Sequence, residues 1–261
     1  MDIHDYLKRI NYRGSLEPTS ETLQVLHEAH LLTVPFENLS IHYGQPIVLQ
    51  EDALFDKIVR RRRGGFCYEL NGLFAWLLHQ LGFGVTLLSA GVYSNSTDHF
   101  SPDFDHLTLL VHQPAGTDWL ADVGFGDSFR RPLRLEAELA QEEGDGRVYR
   151  LHRDADERDK DTKHDYWILQ QLNDGQWQSQ YRFTLQPREL IDFTERCIYQ
   201  QTSPTSHFTQ QRICSLATPT GRVSLSDLRL ITTLHGERKE HMLMDQEEYA
   251  SALTEHFGIV L

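Results

Sequence analysis

The chain changes its hydrophobic period near Gly82. Up to that point apolar positions recur three and four residues apart, the spacing of one buried helix face. Asp2 or His4 opens a short helix reaching Lys8, and Pro18-Thr19-Ser20-Glu21 reads as a helix start. Leu23, Leu26, His27 and His30-Leu31 then share a face. Pro35 discourages helix at Val34, so Val34–Leu39 interrupts the pattern. A further helix runs from Glu51 to Arg61 with Leu54, Ile58 and Val59 inward. The strongest periodic run follows: Phe66, Leu70, Leu73, Phe74, Leu77, Leu78 and Leu81 line one face, and Gly82 stands where a helix stop belongs.

Beyond Gly82 the period drops to two. Val85–Tyr93 reads as a strand and Asn95–Pro102 as a loop. His106–Val111 and Trp119–Val123 are two short strands joined by the turn-rich Gln113-Pro114-Ala115-Gly116-Thr117-Asp118. Leu133–Leu135 continues the sheet. The segment 136–165 is dense in charge and reads as a solvated excursion around one strand, Val148–Leu151. Tyr166–Leu169, Trp177 and Tyr181–Phe183 resume the strand pattern about a hairpin turn at Asn173-Asp174-Gly175. In the last third a helix is expected from Pro187 to Tyr199. Strands follow at 213–217, 221–225 and 228–233, and a closing helix runs from Asp245 to Phe257 with Gly258 after it. No internal repeat or low-complexity linker divides the 261 residues, so two or three closely packed units are expected.

Charge narrows the choice of partner. With 38 acidic against 25 basic side chains, the net charge of −13 argues against general binding to nucleic acid or anionic membrane. A local basic pocket is still allowed. No apolar run approaches the roughly 20 residues of a membrane span, and no secretory leader opens the chain. The cysteines at 67, 197 and 214 have neither CxxC nor zinc spacing, which fits a reduced, cytoplasmic protein with no metal.

One of those cysteines stands in a suggestive place. In Arg60-Arg61-Arg62-Arg63-Gly64-Gly65-Phe66-Cys67-Tyr68-Glu69-Leu70-Asn71, a Gly-Gly turn delivers Cys67 to the first turn of the strongest helix. The helix dipole there lowers a thiol's pKa, and free N–H groups can hold an oxyanion. The competing reading is a buried cysteine acting as a small hydrophobe. The arginine run is chiefly a solvated or ion-paired face, and a buried Glu37 would take one of its cations.

A cysteine nucleophile needs a base, and the base an orienting group. A three-residue loop centred on Pro114 sets His106 opposite Asp122 across the 106–123 hairpin. A five-residue loop shifts the partner by two and keeps both on one face. His112 lies at the turn end and His99 in a polar loop. Asp103, Asp105 and Asp118 read as loop and turn residues.

These stretches, with His106-Leu107-Thr108-Leu109, Trp119-Leu120-Ala121-Asp122-Val123-Gly124-Phe125-Gly126 and Val34-Pro35-Phe36-Glu37-Asn38-Leu39, resemble the arylamine N-acetyltransferase family. A long insertion present in vertebrate members between their second and third domains is absent, so the chain is similar to bacterial members. The resemblance implies an α+β fold with a papain-like triad arrangement. A helical domain at 1–83 would carry the nucleophile, a β-barrel at 84–186 the histidine and aspartate, and an α/β lid at 187–261 would cover them. Cys67, His106 and Asp122 map to the catalytic triad, Phe36 and Phe125 to the acceptor pocket, and Gly126 to the loop near the acyl donor. The implied reaction moves an acetyl group from acetyl-coenzyme A, a cosubstrate rather than a resident cofactor. The group passes through an acetyl-cysteine to an arylamine, arylhydrazine or N-hydroxyarylamine. Arg130, Arg131 and Arg134 are candidates for the coenzyme phosphates, or a solvated basic turn. A homodimer is left open. The alternatives are a papain- or transglutaminase-like hydrolase using the same triad, and a binding module with Cys67 in its core.

Overall fold

Asp2 accepts a hydrogen bond from the His4 N–H at 2.8 Å and starts α1 (Ile3–Arg9). Thr19 does the same for the Thr22 N–H and starts α2 (Ser20–Leu31). The structure, a computed structural model, describes residues 1–113, 116, 118–154 and 165–260. Parts of two expected features, the turn between residues 113 and 118 and the charged excursion at 136–165, lie outside those residues.

After Pro35 the chain makes a two-residue strand, β1 (Phe36–Glu37), then the short helices α3 (Leu39–His42) and α4 (Glu51–Phe55). A π turn at Asp56–Arg60 leads to the long helix α5 (Cys67–Gln80). Apolar faces of α1, α2, α4 and α5 meet in one core containing Tyr6, Leu23, Leu26, Phe55, Leu73 and Phe74.

The period-two region forms a nine-stranded sheet. Its central members are β2 (Gly84–Ser94), β4 (His106–His112) and β5 (Trp119–Ala121); β3 (His99–Phe100) pairs with the end of β2 inside the expected loop. The sheet continues on one side through β6 (Leu133–Arg134). On the other it runs through β10 (Gln176–Phe183), β9 (Tyr166–Asn173), β8 (Val148–Asp154) and β7 (Gln141–Glu142). The outer strands β6 and β7 are tied by the Gln141 side chain. It accepts from the Arg134 N–H at 2.8 Å and donates to the Arg134 carbonyl at 3.1 Å, so the sheet curls into a nearly closed barrel. The turn at Asp174-Gly175 has positive φ at both residues, 50° and 75°, as a two-residue hairpin requires.

β4 is buried on both faces. Leu107, Leu109 and Val111 pack into the helical core, while Leu110 faces the barrel interior with Leu88, Leu120, Tyr149 and Tyr181. Burial on both faces explains why this strand reads as a nearly continuous apolar run.

The last region differs most from expectation. Pro187-Arg188 is not helical: the Arg188 N–H bonds the Leu87 carbonyl at 3.0 Å, which holds the chain extended against β2. A 3-10 turn at Leu190–Phe193 starts where Asp192 accepts the Glu189 N–H, and α6 (Thr194–Thr202) follows. The short α7 (His207–Gln210) leads to a second sheet of β11 (Ile213–Thr218), β12 (Gly221–Ser226), β13 (Arg229–Leu234) and β14 (Glu237–Met242). β14 has no apolar alternation because every residue in it is exposed, and its charges protect an open edge. β1 joins this sheet from the far end of the sequence, pairing Phe36 with Ser215. The closing helix α8 (Gln246–Phe257) packs Tyr249, Leu253 and Phe257 onto Cys214 and Leu225, and ends at Gly258 with φ 65°. No helix among the described residues is long and apolar enough to cross a membrane.

Asp245 caps α8 by accepting from the N–H groups of Glu247 and Glu248 at 2.9 and 3.0 Å. Asp245→Ala is expected to lower stability by ~1 kcal/mol, read as a shift in the urea unfolding midpoint with an unchanged slope.

Candidate active site

Two buried ion pairs set the shape of the turn before α5. Arg63 reaches Glu37 at 2.9 Å, and Lys57 reaches Glu69 at 2.7 Å. Glu37 also accepts the Leu39 N–H, and Glu69 accepts the Phe66 N–H at the head of the helix. Burial pushes the Glu37 carboxyl up, but Lys57 and Arg63 outweigh it and hold it below its ordinary value. Burial raises Glu69, with the Glu37 charge adding to it. The expected Glu37–arginine pair is therefore present. Arg60 and Arg61 stay exposed beside Asp56, as a solvated basic face should. Gly64 packs its α-carbon against the Pro35 carbonyl so closely that a Cβ would stand 1.9 Å from that oxygen.

Cys67 is the first residue of α5 and is 4% exposed. The structure corrects the expected lowering of its pKa. Burial pushes the thiol well up, and the Asp105 and Asp122 carboxylates push the same way; a backbone hydrogen bond with Leu107 offsets only part.

His106 begins β4, and Asp122 follows the last residue of β5. The hairpin pairs Leu109 with Ala121 and Val111 with Trp119, two residues away from the three-residue-loop register. Extending this register sets Asp122 opposite Thr108, so His106 and Asp122 are diagonal neighbours on one face. Their side chains close the gap: His106 Nε2 to Asp122 Oδ2 is 2.6 Å. The other Asp122 oxygen accepts from Asn71 Nδ2 at 2.8 Å and from the Gly124 N–H at 2.9 Å. Burial raises the Asp122 carboxyl, but His106, Asn71 and Gly124 together hold it below its usual range.

The rings of His106, Phe125 and Tyr181 form a triangle, with centres 5.0 to 5.1 Å apart. Gly124 lets the loop after Asp122 press onto the turn that holds Cys67. A Cβ there would stand 2.8 Å from both the Cys67 Cα and Asn71 Nδ2. Cys67, His106, Phe36 and Phe125 line one cavity of about 420 Å³. Gly124 lines it too; Gly126, with φ 88°, lies beyond the wall.

Sequence reasoning missed the far wall of this cavity, which comes from α6 and α7: Arg196, Tyr199, Gln200 and Phe208. It also understated Asp105, which is no plain loop residue: it lines the cavity and anchors α6 through Arg196 at 2.7 Å. Asn71 carries three bonds that join α5 to the barrel, to Asp122, to the Leu107 carbonyl and from the Val123 N–H. A polar residue amid Leu70, Leu73 and Phe74 was the available signal. His112 has its own aspartate, Asp118, at 2.9 Å. That pair sits at the turn end, about 20 Å along the strand from His106. Arg130 donates to the Pro219 and Gly221 carbonyls in a different cleft, with Arg147 and Arg222. Arg131 and Arg134 are exposed beside Glu28 and Glu136. No group of metal-binding side chains occurs among the described residues.

A helical layer, a barrel and a second sheet meeting around a cysteine, histidine and aspartate define a class of α+β thiol-site protein. The comparisons are more specific. The family model for N-acetyltransferases matches residues 19–261. The arylamine N-acetyltransferase pineal gland isozyme NAT-3 of Gallus gallus is 36% identical over all of this chain and 95% of its own length. The solved arylamine N-acetyltransferase of M. tuberculosis is also 36% identical, with a TM-score of 0.89 over 99% of this chain and 94% of that one. The Salmonella typhimurium enzyme superposes with a TM-score of 0.90 at 33% identity, covering 98% and 90%. The chain belongs to the arylamine N-acetyltransferase family and is an enzyme of that type.

His27, on α2, is fully buried beside this site, and burial lowers its pKa from 6.5 to about 4. The fold therefore selects the neutral ring, while the unfolded chain takes up a proton below 6.5. The resulting stabilisation is complete above pH 6.5 and is lost as pH falls toward 4, by roughly 3 kcal/mol. Urea unfolding at pH 7 and pH 4 should show a smaller acid loss in His27→Leu than in the unmodified protein. Equal losses would mean that the ring is not held neutral.

Proposed function

We propose that the enzyme moves an acetyl group from acetyl-coenzyme A to an arylamine, arylhydrazine or N-hydroxyarylamine through an acetyl-cysteine at residue 67. The observation that carries this reading is the 2.6 Å His106–Asp122 pair beside the cavity that Cys67 and His106 both line. A relative from M. marinum, 33% identical, solved in complex with CoA supports the donor.

Asp122 accepts from Nε2, which fixes the imidazole proton there and leaves the Nδ1 lone pair as the base. Burial pushes the Cys67 thiol up, and His106 takes its proton as the sulfur attacks the acetyl carbonyl. The carbonyl electron pair moves to oxygen as the bond to Cys67 forms; when this oxyanion collapses the bond to the coenzyme sulfur breaks, and the imidazolium gives its proton to the departing thiolate. The Glu69 and Leu70 N–H groups already bond the Phe66 carbonyl, so the N–H groups of Cys67 and Tyr68 at the start of α5 are the donors offered to the oxyanion. The acceptor nitrogen, or the oxygen of an N-hydroxyarylamine, then attacks the thioester. His106 takes the acceptor's proton and hands it to the leaving Cys67 sulfur. Arylamines are neutral at pH 7, and Phe36, Phe125 and Phe208 give an aromatic ring apolar walls.

Incubation with acetyl-coenzyme A and no amine should add one acetyl group, by intact mass, to the peptide carrying Cys67. An arylamine should discharge it much faster than water does. Cys67→Ala should lose the label, and a folded Asp122→Asn should acquire it far more slowly. Water discharge as fast as amine discharge would identify a hydrolase, and labelling of folded Cys67→Ala would sink the acyl-cysteine.

Phe125 touches both the catalytic ring and the cavity, which gives a separate expectation. Phe125→Ser should reorder specificity constants for para-substituted anilines, by ~1–3 kcal/mol at most, with a smaller effect on acetyl-enzyme formation. An unchanged order would remove Phe125 from acceptor selection.

A further inference from the structure

We propose that His27 is a positioning residue for acyl transfer, gripping the segment Asp122–Arg130 through both ring nitrogens so that the Asp122 carboxylate stays on His106. The proposal rests on the acyl-transfer reading above.

The ring is the meeting point of two layers. His27 Nε2 accepts the Asp122 backbone N–H at 3.0 Å, and Nδ1 donates to the Arg130 carbonyl at 2.7 Å. Only the neutral tautomer with its proton on Nδ1 satisfies both bonds. One rigid side chain on α2 thus holds the two ends of the loop that carries Asp122, Gly124 and Phe125.

Three consecutive backbone N–H groups show how tightly the loop is set. The Asp122 N–H goes to His27, the Val123 N–H to Asn71 at 2.9 Å, and the Gly124 N–H to the Asp122 carboxylate at 2.9 Å. His27 is the only acceptor that fixes the Asp122 backbone itself in this set. Without it, a buried N–H loses its partner next to the carboxylate whose direction matters most. The ring has little freedom to move. It stacks on Phe129 with centres 5.7 Å apart and planes 10° from parallel, and meets the edge of Phe74 at 6.0 Å. Phe129 belongs to the same loop, so a single contact pair orients the ring and its partner together. A general filler of the helical core would need neither nitrogen.

The test compares two amides. Gln extends a polar atom to the Nε2 position and can accept the Asp122 N–H; Asn stops at the Nδ1 position and can serve only Arg130. Single-turnover acetylation of Cys67 would be measured for the unmodified protein, His27→Leu, His27→Asn and His27→Gln, alongside each melting temperature. Leu and Asn should acetylate about ten- to a hundredfold more slowly, and Gln should recover most of that loss at a melting temperature similar to Asn. A Gln variant no faster than Asn, or a rate loss that follows melting temperature across the set, would overturn the role. If the Leu variant does not fold, the Asn–Gln pair decides. Histidine nitrogen shifts in the unmodified protein provide a check without any folding risk for the variants: Nδ1-protonated His27 is expected, and the Nε2-protonated tautomer would overturn the proposal. Failure of the unmodified protein to take an acetyl group would instead remove the acyl-transfer reading, and this proposal with it.

Discussion

A carboxylate taken out of water must have its lone pairs met, and Asp122 governs the centre of this protein through that requirement. It is 1% exposed and is served by His106, Asn71 and the Gly124 N–H. Each partner comes from a different place: the first residue of β4, the second turn of α5 and the loop after β5. Satisfying one charge therefore docks the helical layer on the barrel. The same bonds keep the carboxylate ionised and leave one of its oxygens on the imidazole. Stability and chemistry here share one set of contacts.

Cys67 is built on a second charged arrangement. Glu37, Arg63, Lys57 and Glu69 lie beneath the turn that presents Cys67, and all four are buried. Removing one member leaves an unpaired charge, which is far costlier than the net worth of the pair. Gly64 and Gly124 allow backbone to approach that turn from two sides. The consequence is a deeply placed thiol whose pKa burial pushes up.

The wall facing Cys67 comes from the last third of the chain. Asp105, one residue before His106, draws Arg196 of α6 to 2.7 Å and so ties α6 to the start of β4. Arg196 in turn lies over the Tyr199 ring, 4.1 Å from its centre. Phe125 on the barrel loop and side chains of α6 and α7 thus line one cavity, while β1 pairs with β11.

The sequence by itself determined the local features. Helix faces, caps at Asp2, Thr19 and Asp245, the Asp174-Gly175 hairpin and the position of Cys67 at a helix start all depend on residues within a turn of one another. The same-face relation of His106 and Asp122 was also legible, because side-chain alternation survives a two-residue change of register. The register itself was not, since turn composition leaves loop length open. Tertiary structure decided whatever joins distant segments: Gln141 tying β6 to β7, β1 entering the sheet of β11, and Pro187-Arg188 held extended by β2. It also decided the burial of Cys67. A helix terminus is a local property and can be read from sequence, whereas desolvation is the sum of everything packed around an atom. For the same reason His27 and Asn71 looked like ordinary helix positions until the fold brought the Asp122 loop against them.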